Sequence, residues 1–372
     1  MGPCQGQRVR SVNCPWPEKS AAAILRRAFD WGRAFDWGWS ACGGTAWPPT
    51  QNASPLQGGM SVERLLIVGI DTVVGANLAA HLADKFHVTG LSTGEEVTIE
   101  GCETAAAPNC DAHSARQAIA LHRPDRLILC HIAGDSSWHG PSASNICFAA
   151  DGTQAWIDAA RAAGKHLTLL SSDAVFTGPW MFHTETCDSF CPAGQAKVLR
   201  ALEDAALKDS ANSLVVRTHP YGWSPQLDGG WIDEMLAALE ADQPPVFDCV
   251  AHATPILVTD LADVLNAAWS AGLTGLYHIA GAERTNPHRF ACALARVFDL
   301  NPPQPKWLAP TESVRTGFAQ GEASLHTRSI RKALGIGLPM LAEGLERLRA
   351  QHDQGFDRRF SRGKRFEPSK VA

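Results

Sequence analysis

Short apolar segments alternate with helical segments from Met60 onward, and this alternation constrains the fold more than any other feature of the chain. The apolar segments are bounded by turn-forming residues and lie at residues 65–68, 87–91, 126–130, 166–171 and 214–217. Between them, apolar residues recur at helical spacing, as in residues 152–165. Strands without polar alternation are buried on both faces, as in parallel sheets covered by helices. The pattern therefore predicts an α/β chain with a doubly wound, Rossmann-like parallel sheet.

Four segments differ in composition along the chain. Residues 1–59 contain five of the twelve tryptophans but no sustained helical or strand period. We expect a disordered extension or a mis-assigned start there, with a partner-binding tail as the alternative. Residues 60–220 carry the alternating pattern. Residues 221–350 combine helices with proline-rich loops, and we expect a smaller C-terminal α/β lid that binds the substrate at the carboxyl edge of the sheet. Residues 351–372 are basic and are predicted to form a flexible tail.

Composition argues against several classes of partner. The formal net charge is −5, so no electrostatic feature favours nucleic acid binding. No apolar segment approaches the length of a membrane span, so we expect no membrane association. The eleven cysteines are scattered, as expected for reduced thiols in a cytoplasmic protein. His183, Cys187 and Cys191 share a spacing of four, but no fourth ligand is evident and we predict no metal site.

The first apolar segment leads into Gly-Ile-Asp-Thr-Val-Val-Gly, which has the spacing of a dinucleotide-binding turn. Gly69 would allow the tight turn and Gly75 the close packing of helix on strand, while Thr72 stands where a third glycine lets the backbone approach the pyrophosphate. We predict cofactor contacts at all three positions and an NAD(P)-binding domain over residues 60–220. The alternative is a strand–helix turn without a ligand, since the Thr72 side chain could crowd the pyrophosphate.

The end of the second predicted strand bears on the choice of cofactor. Residues 90–93 include no acidic side chain, and an Asp or Glu there would bind the ribose hydroxyls of NAD. No arginine stands ready for the 2′-phosphate of NADP either. We therefore expect NADP or NAD, with a slight preference for NADP.

Several longer stretches are similar to one family. They are PDRLILCHIAG, GTQAWIDAARAAGKHLTLLSSDAVFTG, LVVRTHPYG, ATPILVTDLADVL and GLYHIAG. In this order they resemble the extended short-chain dehydrogenases/reductases, and most closely the dTDP-4-dehydrorhamnose reductases, over residues 60–349. That family reads Ser-Thr-Asp-Tyr-Val-Phe where this chain has Ser-Ser-Asp-Ala-Val-Phe at residues 171–176.

The resemblance implies a reduction chemistry. The family reduces a 4-keto sugar attached to a nucleotide with NADPH or NADH, using a hydroxyl that orients the keto oxygen, a tyrosine that donates the proton and a lysine that binds the nicotinamide ribose. By position, Ser172 would be the orienting hydroxyl and Lys197 the lysine, which also counts as a cofactor contact. Ala193 occupies the tyrosine position. His183 is a candidate substitute acid, with an exposed loop residue as the alternative, and Lys197 has the alternative of a solvated helix lysine.

Five further residues are predicted to line the site. Asp111 and Ala133 would contact the cofactor, and Asp173, Glu185 and Arg217 the substrate.

Departures from the family pattern leave two functions open. Thr72, Ala149 and Ala193 each replace a residue type that the family uses at its site. The first function is an NAD(P)-binding reductase of a nucleotide-linked 4-keto-6-deoxy sugar in dTDP-rhamnose biosynthesis. The alternative is a catalytically impaired relative that binds a nucleotide or nucleotide sugar, or serves as a regulatory subunit. The expected partners are a nucleotide sugar and either a second copy of the chain or a regulatory partner protein.

Overall fold

The computed structural model describes most of the chain after the tryptophan-rich N-terminal segment. The described residues are 62–107, 111–130, 132–133, 138, 143–208, 211–225, 230–241, 247, 249–304 and 321–365. They all belong to one compact unit, Met60–Ala372. The expectations for residues 1–59 concern residues outside the described ones and stay predictions.

Eleven strands are present among the described residues: β1 (Arg64–Val68), β2 (His87–Ser92), β3 (Glu95–Ile99), β4 (Glu103–Ala106), β5 (Arg126–Leu129), β6 (His166–Ser172), β7 (Ser213–Thr218), β8 (Pro220–Tyr221), β9 (Ile256–Leu257), β10 (Gly275–His278) and β11 (Phe360–Arg365). Seven of them form one sheet in the order β10-β7-β6-β5-β1-β2-β4. Every pair in that sheet is parallel.

Nine α-helices accompany these strands in the described part of the chain: α1 (Val73–Leu82), α2 (Ala112–His122), α3 (Ala143–Ala162), α4 (Gly194–Leu207), α5 (Trp231–Glu240), α6 (Val258–Ser270), α7 (Pro287–Val297), α8 (Arg328–Leu334) and α9 (Leu341–Asp353). Two short 3-10 turns span Asp173–Val175 and Phe356–Arg359. None of the helices in these ranges combines the length and apolarity needed to traverse a bilayer.

The strand order reverses at β1. From β1 the chain moves outward through β2 to β4, and it then returns to place β5 on the other side of β1 before continuing to β6, β7 and β10. The predicted doubly wound, Rossmann-like sheet is therefore confirmed. In such sheets ligands bind outside the carboxyl ends of the strands where the order reverses, and here that point lies between β1 and β5.

Helices cover both faces of the sheet, as the unbroken apolar strands require. Leu65 and Ile67 of β1 pack into a buried cluster with α1 and α6. Leu66 and Val68 point to the other face and pack with α2, α3 and α4 around the fully buried Trp156. Successive side chains of a strand point to opposite faces, so a strand buried on both sides must be apolar at every position.

The C-terminal part, residues 221–350, is continuous with the main sheet and its helices. β10 extends the main sheet beside β7, and α6 packs against α1. Most of the buried apolar side chains of this region belong to the same cluster as those of α1. The boundary predicted at residue 220 consequently falls inside one compact unit.

The predicted flexible tail is also ordered as far as residue 365. α9 ends at Asp353, a 3-10 turn follows, and β11 pairs antiparallel with β3. Phe360 is buried at the start of β11, with its ring 5.7 Å from that of Phe356. Burial of this aromatic pair and a second set of strand hydrogen bonds explain why a basic segment is held against the domain. Residues 366–372 lie outside the described part.

Candidate functional site

The turn after β1 keeps the geometry of a dinucleotide-binding turn. Gly69 has φ of 89°, a left-handed conformation that favours glycine. A Cβ on Gly75 would collide with the carbonyl oxygen of Gly69, so only glycine lets α1 begin this close to β1. Both glycines are therefore required by the backbone, as the sequence predicted.

Thr72 is the N-cap of α1 and its hydroxyl is used inside the turn. The hydroxyl donates to the Gly69 carbonyl oxygen at 2.7 Å and accepts the Gly75 N–H at 3.0 Å. The N–H groups of Val73 and Val74 make no hydrogen bond within the described residues. They lie at the positive end of a ten-residue helix, where a phosphate is favoured. The side chain at position 72 thus caps the helix and leaves two backbone donors for an anion.

Asp71 places a carboxylate at the tip of β2, and sequence reasoning missed it. It accepts the N–H groups of Thr93 at 3.0 Å and Gly94 at 2.6 Å, and the residue is only 5% exposed. An acid at this tip binds the adenosine ribose in Rossmann domains. Residues 90–93 of the strand end contain no acid, whereas Asp71 comes from the turn after β1. The slight preference for NADP was based on the absence of an acid at the tip of β2, and Asp71 supplies one there.

The two further predicted cofactor residues lie at the same edge of the sheet but apart from each other. Ala133 is buried just after β5, and its N–H donates to the Cys130 carbonyl oxygen at 3.0 Å. Asp111 follows β4 and caps α2 by accepting the Ser114 N–H at 2.7 Å, a bond that lowers the pKa of its carboxyl. β5 and β4 are three strands apart, about 14 Å at strand spacing. Ala133 lies at the reversal point, while Asp111 lies at the outer edge of the sheet.

Ser172 ends β6 and Asp173 follows it, and both side chains have hydrogen-bond partners. The Ser172 hydroxyl accepts the Ala174 N–H at 3.1 Å and lies 3.3 Å from Asp173 Oδ1. Asp173 Oδ2 accepts the His219 Nδ1–H at 2.8 Å, and this Asp–His pair is fully buried. Ser172 pairs with Thr218 in the register of β6 and β7. The register of β6 and β7 is the signal that would have located His219, because this residue follows Thr218, the partner of Ser172.

Aromatic rings surround this Asp–His pair. The His219 ring lies 4.6 Å from Trp138 and 6.2 Å from Trp231. Tyr221 packs edge-on against Phe290 in the same group and is 1% exposed. Burial raises the pKa of the Tyr221 phenol, and the Asp260 carboxylate raises it further. A phenol held this way is a poor proton donor at neutral pH.

Lys197 lies one turn into α4, behind Ala193. Ala193 is the N-cap of this helix and provides no side-chain cap. Ala196 and Leu199 face the core, whereas Lys197 is exposed and its amine has no partner within the described residues. The lysine is therefore available to a ligand, and both the ribose-binding role and the solvated alternative stay open.

His183 is not the exposed loop residue that the sequence alternative assumed. It is 2% exposed and its ring stacks on Phe176 at 4.4 Å. Nε2 lies 3.3 Å from the Glu322 carbonyl oxygen and Nδ1 lies 3.3 Å from Cys187 Sγ. Burial lowers the pKa of the imidazole. A neutral, packed imidazole is a weak proton donor, so this placement does not favour His183 as the substitute acid.

Arg217 lies in a buried ion pair rather than facing a ligand. Its guanidinium donates to both carboxylate oxygens of Glu203, at 2.6 Å for the Nη2–Oε2 pair, and both side chains are almost fully buried. Ser171 donates to the same carboxylate at 2.6 Å. His278 completes the group, and burial together with the Arg217 charge lowers the pKa of His278 to about 3. The predicted substrate contact of Arg217 is replaced by this internal network.

Glu185 has a similar structural role. Its two oxygens accept the His278 N–H at 3.2 Å and the Ser329 hydroxyl at 3.0 Å. The carboxylate thereby joins the loop after β6 to β10 and α8. The substrate contacts predicted for Asp173, Glu185 and Arg217 involve side chains that already have protein partners.

The spaced cysteines do not assemble a metal site with His183. Cys187 approaches the histidine, and no group of three His, Cys, Asp or Glu side chains in the described ranges could hold a metal ion. Six cysteines in these ranges form no disulfide bond.

Several solved structures share this architecture. dTDP-4-dehydrorhamnose reductase from Bacillus anthracis, in complex with NADP, has a TM-score of 0.64 at 16% identity, covering 78% of this chain and 100% of that one. The Bordetella bronchiseptica enzyme WbmH, in complex with NAD+, has a TM-score of 0.61 at 16% identity, covering 78% and 99%. UDP-glucose 4-epimerase from Thermotoga maritima, with UDP-glucose, has a TM-score of 0.62 at 15% identity, covering 79% and 99%. At these identities the similarity shows the fold.

Family membership comes from the sequence itself. No curated protein matches the chain significantly. The family described as RmlD substrate binding domain matches residues 63–353, which include the dinucleotide-type turn, the Ser172–Asp173 strand end and α4. The chain therefore belongs to the RmlD substrate binding domain family.

Proposed function

We propose that the protein binds a nicotinamide dinucleotide together with a nucleotide-linked 4-keto-6-deoxy sugar and reduces the sugar slowly. The observation that carries this proposal is the turn after β1. Gly69 and Gly75 are both required there, and the N–H groups of Val73 and Val74 remain for a pyrophosphate. The structures of relatives with NADP and NAD+ support the same class of cofactor.

The preferred cofactor is NAD rather than NADP. The Asp71 carboxylate is held against the N–H groups of Thr93 and Gly94. A ribose with two free hydroxyls can donate to this carboxylate, whereas a 2′-phosphate would meet a like charge and find two backbone donors already used. This reverses the preference expected from the β2 residues alone.

The slow rate follows from position 193. Losing a general acid typically costs about a hundred- to ten-thousand-fold in rate. Ala193 has no proton to donate, and the fully buried Tyr221 does not replace it. Lys197 and Ser172 remain as the cation and the orienting hydroxyl of the family. The tyrosine that donates the proton in the family has no counterpart.

A regulatory role is the second candidate function. The observation that favours it is that Ser172, Asp173 and Arg217 are all occupied by protein partners. Because these side chains are already bonded within the protein, the site is held in one conformation, which suits binding better than catalysis. In this role the protein, either as a homodimer or bound to a regulatory partner protein, would sense the dinucleotide or the nucleotide sugar. Cysteines that form no disulfide bond support a cytoplasmic setting for either function.

Turnover of the purified full chain separates the two functions. NADH oxidation is measured with a dTDP-4-keto-6-deoxy sugar, and binding of the same sugar is measured by calorimetry. Slow turnover, at least a hundredfold below ordinary reductase rates of about 10 per second, supports the reductase. Binding of cofactor and sugar without turnover supports the regulatory role. Absence of cofactor binding would refute the reductase, and absence of binding of both cofactor and sugar would refute the regulatory role as well.

A further inference from the structure

A cavity of about 410 Å³ lies beside α8, on the β10 side of the sheet. It is lined by His326, Arg328, Arg331, Lys332 and Ile336. Four of these five residues are cationic or can become so. The strand order places β10 at the edge opposite β2 and β4. The cavity is therefore separate from the turn after β1, where the dinucleotide is proposed to bind.

The cations of this cavity have no counter-charge among the residues that the structure describes. None of Arg328, Arg331 and Lys332 has a carboxylate within ion-pair distance in the described part of the chain. Glu185 is the carboxylate bonded to this helix, and its oxygens are taken by the His278 N–H and the Ser329 hydroxyl. The group is therefore a net positive concavity on a chain whose overall charge is −5.

The spacing of the cations along α8 brings like charges next to each other. Residues three and four apart on a helix are neighbours, so Arg328 lies next to both Arg331 and Lys332. Like-charge pairs at this spacing destabilise a helix. A bound anion would remove that repulsion, and guanidinium groups match phosphate oxygens in geometry as well as charge.

We propose that this cavity is a phosphate-binding site. Its ligand is a molecule carrying a phosphate or diphosphate group, held by Arg328, Arg331 and Lys332. His326 accepts the Arg328 N–H through Nδ1 at 3.3 Å, so its Nε2 carries the proton and adds a neutral donor. The volume suits a small phosphorylated molecule or one lipid headgroup.

An exposed apolar loop beside the cavity bears on the source of the phosphate. Trp180 and Met181 are 67% and 61% exposed. The next residue, Phe182, donates its N–H to the Ser324 hydroxyl at 2.9 Å, and His183 forms a parallel bridge with Leu325. This loop therefore lies along the segment that leads into the cavity. Apolar side chains next to cations are the combination that anionic lipid surfaces attract.

The test uses the full chain and two probes. Binding of inorganic pyrophosphate is measured by calorimetry at low salt with NAD at saturating concentration, so that the turn after β1 is filled. Vesicle binding is measured by co-sedimentation with phosphatidylcholine, with and without phosphatidylserine. The double variant Arg331→Gln/Lys332→Gln is compared with Arg116→Gln/Lys208→Gln, which removes two exposed cations from α2 and the end of α4.

Each cation near a phosphate surface contributes about fivefold in affinity, so the cavity variant is expected to bind about 25-fold more weakly than the control. Pyrophosphate binding without vesicle binding identifies a soluble phosphate ligand. Vesicle binding that also falls on Trp180→Ser identifies a lipid headgroup. Either result supports the site. Binding of neither probe, or equal binding by the cavity variant and the control, overturns it.

Discussion

Replacing Asp71 with asparagine should change which dinucleotide the protein prefers. The Asp71 carboxylate is 5% exposed and bonded to the N–H groups of Thr93 and Gly94. A 2′-phosphate competing for the same tip of β2 would come within about 5 Å of the carboxylate and carry a charge of about −2. At an effective dielectric constant of about 40–80, the repulsion is about 1.5–3 kcal/mol. This corresponds to about a ten- to hundredfold penalty against NADP.

The assay is calorimetric titration of each variant with NAD and with NADP. We expect the wild-type chain to bind NAD at least tenfold more tightly, and Asp71→Asn to lose most of that ratio. Asparagine keeps one acceptor oxygen and nearly the same shape. Asp158→Asn is the matched control, because it removes the same charge from an exposed pair with Arg161 on α3. A wild-type preference for NADP, or a ratio unchanged by Asp71→Asn, would refute the reasoning.

Three further predictions concern the missing acid and the buried polar groups. Ala193→Tyr should raise NADH-dependent turnover of the keto sugar by about a hundred- to ten-thousand-fold, and unchanged turnover with intact cofactor binding would favour the regulatory role. Glu203→Gln leaves a buried guanidinium without its counter-charge and should lower the free energy of unfolding by about 3–5 kcal/mol in urea titration, against about 1 kcal/mol or less for Asp158→Asn. His278 has a folded pKa of about 3, below its unfolded value, so its contribution is complete above about pH 6.5 and is lost as the pH falls towards 3. The wild-type chain should therefore lose about 2 kcal/mol between pH 7 and pH 5 through His278, and His278→Gln should remove that part of the pH dependence.

The main sheet could be predicted because the apolar residues of each inner strand indicate that the strand is buried on both faces. β1, β5 and β7 are apolar at successive positions since helices cover both faces. The pairing of β11 with β3 could not be predicted in this way. Its register joins Phe360 to Ile99, far apart in sequence, and the basic composition of β11 resembles that of a solvated segment.

The site was predictable only in part, because sequence shows residue types and not their partners. The backbone roles of Gly69 and Gly75 could be predicted, since they depend on local geometry. Arg217 was assigned to the substrate because its partner Glu203, on a different element, could not be identified from spacing. Asp71 was missed for the same reason, since its bonds run to the tip of β2.

Calorimetric titration of the intact chain with NAD tests the central claim most directly. The account predicts saturable binding of one NAD per chain, which Gly75→Ala abolishes because a Cβ collides with the Gly69 carbonyl oxygen. Gly337→Ala should bind like the wild type, since open space surrounds that glycine and its backbone is not left-handed. Thermal melts establish that each variant is folded. Failure of the wild-type chain to bind NAD, or equal binding by folded Gly75→Ala, would contradict the claim that the turn after β1 is a dinucleotide site.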